Sequence, residues 1–110
     1  MNIVVYCSSC ANLADEYVKS AEALGQWIGS HGHTLVYGGV NAGLMHTVAQ
    51  ATHDAGGKVI GIIPERFRSR ADELNDEVIF TADLAQRKAA MIEMADLFVV
   101  LPGGIGTLDE

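Results

Sequence analysis

The chain has 110 residues, a mass of 11.7 kDa, 49% hydrophobic residues and a formal net charge of −7 at pH 7, from 7 basic and 14 acidic side chains. That length holds a single domain, since one domain takes ~100–200 residues, and the apolar share excludes a disordered chain. The acidic balance excludes a general electrostatic grip on nucleic acid or on an anionic membrane surface, and no apolar run approaches the ~18 residues that span a bilayer.

In chain order, Asn2 to Tyr6 reads as a buried strand, with no basic n-region before it, so a cytoplasmic chain without a signal peptide is expected. Leu13 to Ser30 carries Tyr17, Ala21, Leu24 and Ile28 at helical spacing and stops at His31-Gly32-His33. Thr34 to Tyr37 is a second strand. Ala42 to Ala55 reads as a helix with Leu44, Met45, Val48, Ala49 and Thr52 inward, closed by Gly56-Gly57. Lys58 to Ile63 is a third strand, ended by Pro64, and Glu65 to Glu77 is a polar connection with three arginines and five acids. Val78 to Phe80 is a short fourth strand. Asp83 is a good N-cap with Gln86 as reciprocal partner, which predicts a helix over Leu84 to Ala95. Asp96 to Leu101 reads as a fifth strand buried on both faces. Strands alternating with helices predict one Rossmann-like α/β domain over residues 1–110, a doubly wound parallel sheet flanked by helices.

Ligands of parallel α/β sheets bind outside the carboxyl ends of the strands, where loops meet helix N-termini. Three segments fall on that edge: Cys7-Ser8-Ser9-Cys10, then Gly38-Gly39-Val40-Asn41-Ala42-Gly43, then Pro102-Gly103-Gly104-Ile105-Gly106-Thr107. Glycine there lets backbone N–H groups approach an anion, and the helix N-terminus adds partial positive charge, so two such loops point to a phosphate. The alternative for Gly38 to Gly43 is that glycines make a tight turn and nothing more. Val40 breaks the dinucleotide fingerprint and no Gly-Lys-Ser/Thr follows either loop, so NAD and P-loop readings are poor. Asp109 and Glu110 follow the last loop, where acids serve either a helix dipole or a ligand. Arg87 starts a helix on the same edge, placed either to clamp an anion or to lie as a solvated surface charge.

Tyr37-Gly38-Gly39 through Gly43-Leu44-Met45, Gly56 to Pro64, Arg87-Lys88, and Pro102-Gly103-Gly104-Ile105-Gly106-Thr107-Leu108-Asp109-Glu110 together resemble the Lonely Guy family. These are cytokinin riboside 5'-monophosphate phosphoribohydrolases, often labelled lysine decarboxylases. The resemblance covers essentially the whole chain. It implies a dimeric Rossmann-like enzyme that hydrolyses the N-glycosidic bond of an adenine-type nucleoside 5'-monophosphate without a cofactor. It also implies that Arg87 and Glu110 are the catalytic pair. Lys88 with Gly104, Ile105, Gly106, Thr107, Leu108 and Asp109 would contact substrate, together with Gly103 and the glycines Gly38, Gly39 and Gly43. Val40 and His46 stand where the family more often has glycine, and Cys10 where it more often has serine. Family members run on past Glu110, so a domain truncated at its C-terminus is expected.

Other readings compete. A lysine decarboxylase needs a Schiff-base lysine, and Lys19, Lys58 and Lys88 lack the surroundings of one. Cys7-x-x-Cys10 after a strand is the spacing of a dithiol redox site. His31, His33, His46 and His53 form no metal-site pattern; surface or packing roles are expected of them, including His46 and His53, seven apart on one helix. A non-catalytic nucleotide-binding or sensor module of the same fold stays open.

Overall fold

The computed structural model describes residues 1–7 and 15–101. Five strands, β1 (Asn2–Tyr6), β2 (Thr34–Tyr37), β3 (Lys58–Pro64), β4 (Glu77–Thr81) and β5 (Leu97–Val100), form one all-parallel sheet in the order β4-β3-β2-β1-β5. Helices α1 (Asp15–Ser30), α2 (Gly43–Asp54) and α3 (Leu84–Met94) connect them, and a 3-10 helix, Glu65–Arg70, follows β3.

Alternation along each strand divides the core in two, because successive side chains leave opposite faces of a sheet. Ile3, Val5, Leu35, Tyr37 and Val59 pack with Ala21 and Ile28 of α1 and with Leu44, Met45, Val48 and Ala49 of α2. Val4, Val36, Ile60 and Ile62 pack on the other face with Met91 of α3. Helices on both faces make the sheet doubly wound, as expected from the sequence.

On one face, α1 and α2 approach closely because Gly25 and Gly29, one turn apart, carry no side chain. A Cβ at position 25 would lie 2.6 Å from Val48 O, and one at position 29 would lie 2.6 Å from Thr52 O. All five inward positions expected in α2 are buried. Burying a Leu, Val or Met side chain contributes about 1.5–3 kcal/mol, so α2 is held firmly. In contrast, α3 buries only Arg87 and Met91, and its local anchor is polar. Asp83 Oδ1 accepts the Gln86 N–H at 2.8 Å, while Gln86 Oε1 accepts from the Ala82 N–H at 2.9 Å. The expected reciprocal cap therefore forms, with its return bond one residue earlier than in the standard box.

Three expectations need correction. The fifth strand is not buried on both faces: Leu97, Phe98 and Val100 are 43%, 44% and 50% exposed. A run of apolar residues reads as a strand covered on both sides, yet among the described residues strand order puts β5 at the sheet edge, beside β1. Phe98 is covered on one side by Tyr6, with ring centroids 5.8 Å apart. The fourth strand is also longer than Val78 to Phe80, and Pro64 belongs to β3, pairing with Thr81. Proline is tolerated there because it ends the strand.

The chain lays β2, β3 and β4 outward on one side of β1, then returns through α3 to place β5 on the other side. That reversal makes the carboxyl ends of β1 and β5 the topological switch point, the crevice where open α/β sheets bind ligands. Cys7 and Leu101, both buried, mark it.

Candidate functional site

The site is built outward from the end of β2. Tyr37 is the last residue of that strand, fully buried, and its hydroxyl has no hydrogen-bond partner among the described residues. Burial raises its pKa well above the usual tyrosine range, with the charges of Asp72 and then Cys7 acting in the same direction. The backbone then turns through Gly38 and Gly39. Gly39 has φ +75°, and a Cβ there would lie 2.5 Å from Ile63 Cγ1, so only glycine fits without strain.

Arg87 closes one side of this turn. The side chain comes from the first turn of α3 and is only 5% exposed. A Cβ at position 38 would lie 3.2 Å from Arg87 Nη1 and 2.8 Å from Met45 Cε. The missing side chain at 38 is therefore what lets the guanidinium reach the glycine turn. Lys88 follows Arg87 on α3 and is partly exposed. Of the residues expected at the site, Gly38, Gly39 and Arg87 are thus brought together. Gly43, at φ +51°, begins α2. Its helix starts at Ala42 without a side-chain cap, leaving the first amide groups to other acceptors. Gly103, Gly104, Ile105, Gly106, Thr107, Leu108, Asp109 and Glu110 lie outside the described residues, as does Cys10. Cys7 itself is buried at the end of β1.

The glycine loop is also held by Asp72 and Asn75, which the sequence did not single out. The segment after the 3-10 helix folds back along the glycine loop: Asn41 N–H donates to Arg70 O at 3.0 Å, and Val40 bridges to Ala71. Asp72 N–H donates to Gly39 O at 2.8 Å, and Asn75 Nδ2 donates to the same oxygen at 3.1 Å. The Asp72 carboxylate, buried, accepts from Leu74 N–H at 3.0 Å and from His46 Nδ1 at 2.7 Å. The cost of burying this charge is offset by those donors. His46 is 39% exposed in its side chain, a half-open imidazole fixed at one nitrogen. The sequence signal for this pairing was faint: Asp72 sits in a polar connection 26 residues from His46, and no local period links them.

Among the described residues, no group of three or more His, Cys, Asp or Glu side chains is placed to hold a metal ion.

The chain is 39% identical over 112 residues to a cytokinin riboside 5'-monophosphate phosphoribohydrolase of Rhodococcoides fascians, covering 99% of this chain and 57% of that protein. To one of the same name in Arabidopsis thaliana it is 46% identical over 110 residues, covering 98% of this chain and 51% of that protein. The chain thus spans about half the length of the curated relatives it matches. Among solved structures, the molybdenum cofactor binding protein of Rippkaea orientalis superposes with a TM-score of 0.86 at 29% identity, over 98% of this chain and 66% of that one. These likenesses bear out the resemblance to the Lonely Guy family and the Rossmann-like fold. Matched from residue 1 to residue 110 by the model of the SLOG cluster4 family, the chain belongs to that family.

Proposed function

We propose that this chain carries the phosphoribohydrolase activity named for its relatives: hydrolysis of the N-glycosidic bond of an adenine-type nucleoside 5'-monophosphate, giving free base and ribose 5-phosphate. What supports it most is Arg87, a buried guanidinium against the Gly38 turn, in a chain 39–46% identical to proteins of that name. A planar guanidinium in so dry a position is suited to orienting a phosphate or a carboxylate through paired hydrogen bonds.

In this reading, backbone amides of residues 103–107 hold the 5'-phosphate, with Lys88, Leu108 and Asp109 contacting the substrate. Glu110 stabilises the developing oxocarbenium and orients the attacking water, as carboxylates do at glycosidic centres. Arg87 fixes the substrate or Glu110. Water is the only co-reactant, so no cofactor takes part. The active form is a homodimer in the cytoplasm. Among the described residues no helix is long and apolar enough to cross a membrane.

The second reading is a non-catalytic nucleotide-binding or sensor module of the same fold, kept because a solved neighbour is named as a molybdenum cofactor binding protein. Its identity of 29% is lower than the 39–46% of the phosphoribohydrolases, which favours hydrolysis. Chromatographic detection of adenine and ribose 5-phosphate after incubation with AMP separates the two. Release is expected from the parent protein and should fall on the order of 10²-fold or more in Glu110→Gln. A variant as fast as its parent removes Glu110 from the chemistry, and AMP bound but left intact favours the binding module.

A further inference from the structure

Arg87 meets the Gly38-Gly39 turn directly, and His46 is tied to it through Asp72. Arg87 Nη1 is packed against Gly38, and Asp72, whose backbone N–H is bonded to Gly39 O, holds the His46 ring through Nδ1 at 2.7 Å. An ionised carboxylate is an acceptor only, so Nδ1 must be the donor, and in the neutral imidazole the remaining nitrogen, Nε2, is then an acceptor. The Asp72 side chain is 2% exposed, while the His46 side chain is 39% exposed. The pair therefore has a fixed inner end and an open outer end. Such an arrangement settles the tautomer and direction of an imidazole that meets a ligand. A packing histidine would be covered, and a surface histidine would have no buried carboxylate to aim it.

We propose that His46 is a specificity-determining residue of the site, with Nε2 accepting a hydrogen bond from a donor group of the nucleotide, either the amino group of the base or a ribose hydroxyl. The assignment rests on the nucleotide reading above. Asp72 is its positioning residue, acting through the ring and not on the ligand.

The test is calorimetric binding of three nucleotides to the parent, His46→Ala and Asp72→Asn. AMP carries both donors; IMP replaces the amino group with an oxo group; 2',3'-dideoxyadenosine 5'-monophosphate lacks the ribose hydroxyls. The parent is expected to bind AMP about three- to tenfold tighter than one of the other two, the worth of one hydrogen bond. His46→Ala should bind AMP and that analogue alike. Asp72→Asn keeps Oδ1 for Leu74 N–H and turns its amide toward Nδ1, which moves the ring proton to Nε2. If the base amino group is the donor, this variant should prefer IMP over AMP. If a ribose hydroxyl is, the variant should keep the parent's preference, because a hydroxyl also accepts. A simple structural role would change affinity for all three nucleotides together. Equal preferences in the parent and His46→Ala overturn the proposal, as does failure of the parent to bind any of the three. Base release by the parent is scored separately. Its absence with the preference intact removes the hydrolase reading alone, and its presence with no effect of His46 on preference removes this inference alone.

Discussion

Gly38 makes room for Arg87. The Cβ that any other residue would carry at 38 lies 3.2 Å from Arg87 Nη1, and 2.8 Å and 3.0 Å from Met45 Cε and Sδ. Gly38 is not among the glycines of positive φ, so its role is spatial and not conformational.

Gly38→Ala is therefore expected to displace Met45, whose side-chain end is flexible, and with it the guanidinium. Overpacking of this kind costs about 1–3 kcal/mol. Base release should fall at least about tenfold, within what a misplacement of about 1 Å can produce, while thermal unfolding stays cooperative. Unchanged turnover would show that the Arg87 position beside Gly38 is not required.

Arg87→Ala and Arg87→Lys test the guanidinium itself. Both variants should lose on the order of 10²-fold in kcat/KM, because lysine cannot reproduce a rigid planar fork. Steady-state kinetics with AMP check this, and a lysine variant near parental activity would reduce Arg87 to a point charge.

Two glycines of nearly equal φ separate backbone strain from crowding. Gly32 has φ +73° and open space, with nothing within 4 Å of where a Cβ would lie, and Gly39 has φ +75° with Ile63 Cγ1 at 2.5 Å and Gly61 Cα at 3.0 Å. Gly32→Ala should cost about 1 kcal/mol, the conformational part alone, and Gly39→Ala clearly more, from the added clash. Denaturant unfolding measures both, and equal losses would contradict the packing seen at Gly39.

Tyr37 should make the fold sensitive to alkali. Its pKa is raised in the folded state by burial first, then by Asp72 and Cys7, and an unfolded tyrosine ionises near 10.0. The neutral phenol is thus favoured by folding. Its contribution to stability is fully present below pH ~10 and is lost progressively above it, as the unfolded chain gives up a proton that the folded chain retains. Tyr37→Phe should flatten that alkaline decline. It should also raise stability near neutral pH by about 1 kcal/mol, since it removes a buried hydroxyl without a partner among the described residues. Identical pH profiles for the parent and the variant would contradict this environment.

How much was legible from the sequence differs by residue. The inward face of α2 and the Asp83–Gln86 cap follow from local spacing, and both form. The glycine turn after β2 was legible because glycine at a strand-to-helix junction has few other uses. The exposure of β5 was not, since an apolar strand reads the same at an edge as in the centre, and strand order is a property of the whole chain. The His46–Asp72 pair was hidden for a related reason. Their meeting depends on backbone bonds from Asn41 to Arg70 and from Asp72 to Gly39, which fold a polar connection back onto the loop. Residue type alone made Asp72 look like one more solvated acid.

Phosphate-dependent base release is tested most directly by comparing AMP with adenosine, scoring free adenine by chromatography. Adenine and ribose 5-phosphate are expected from AMP, with adenosine left intact, because in the proposed reading the 5'-phosphate is the handle that orients the glycosidic bond. AMP left intact, or adenosine cleaved as fast as AMP, would contradict the proposed hydrolysis.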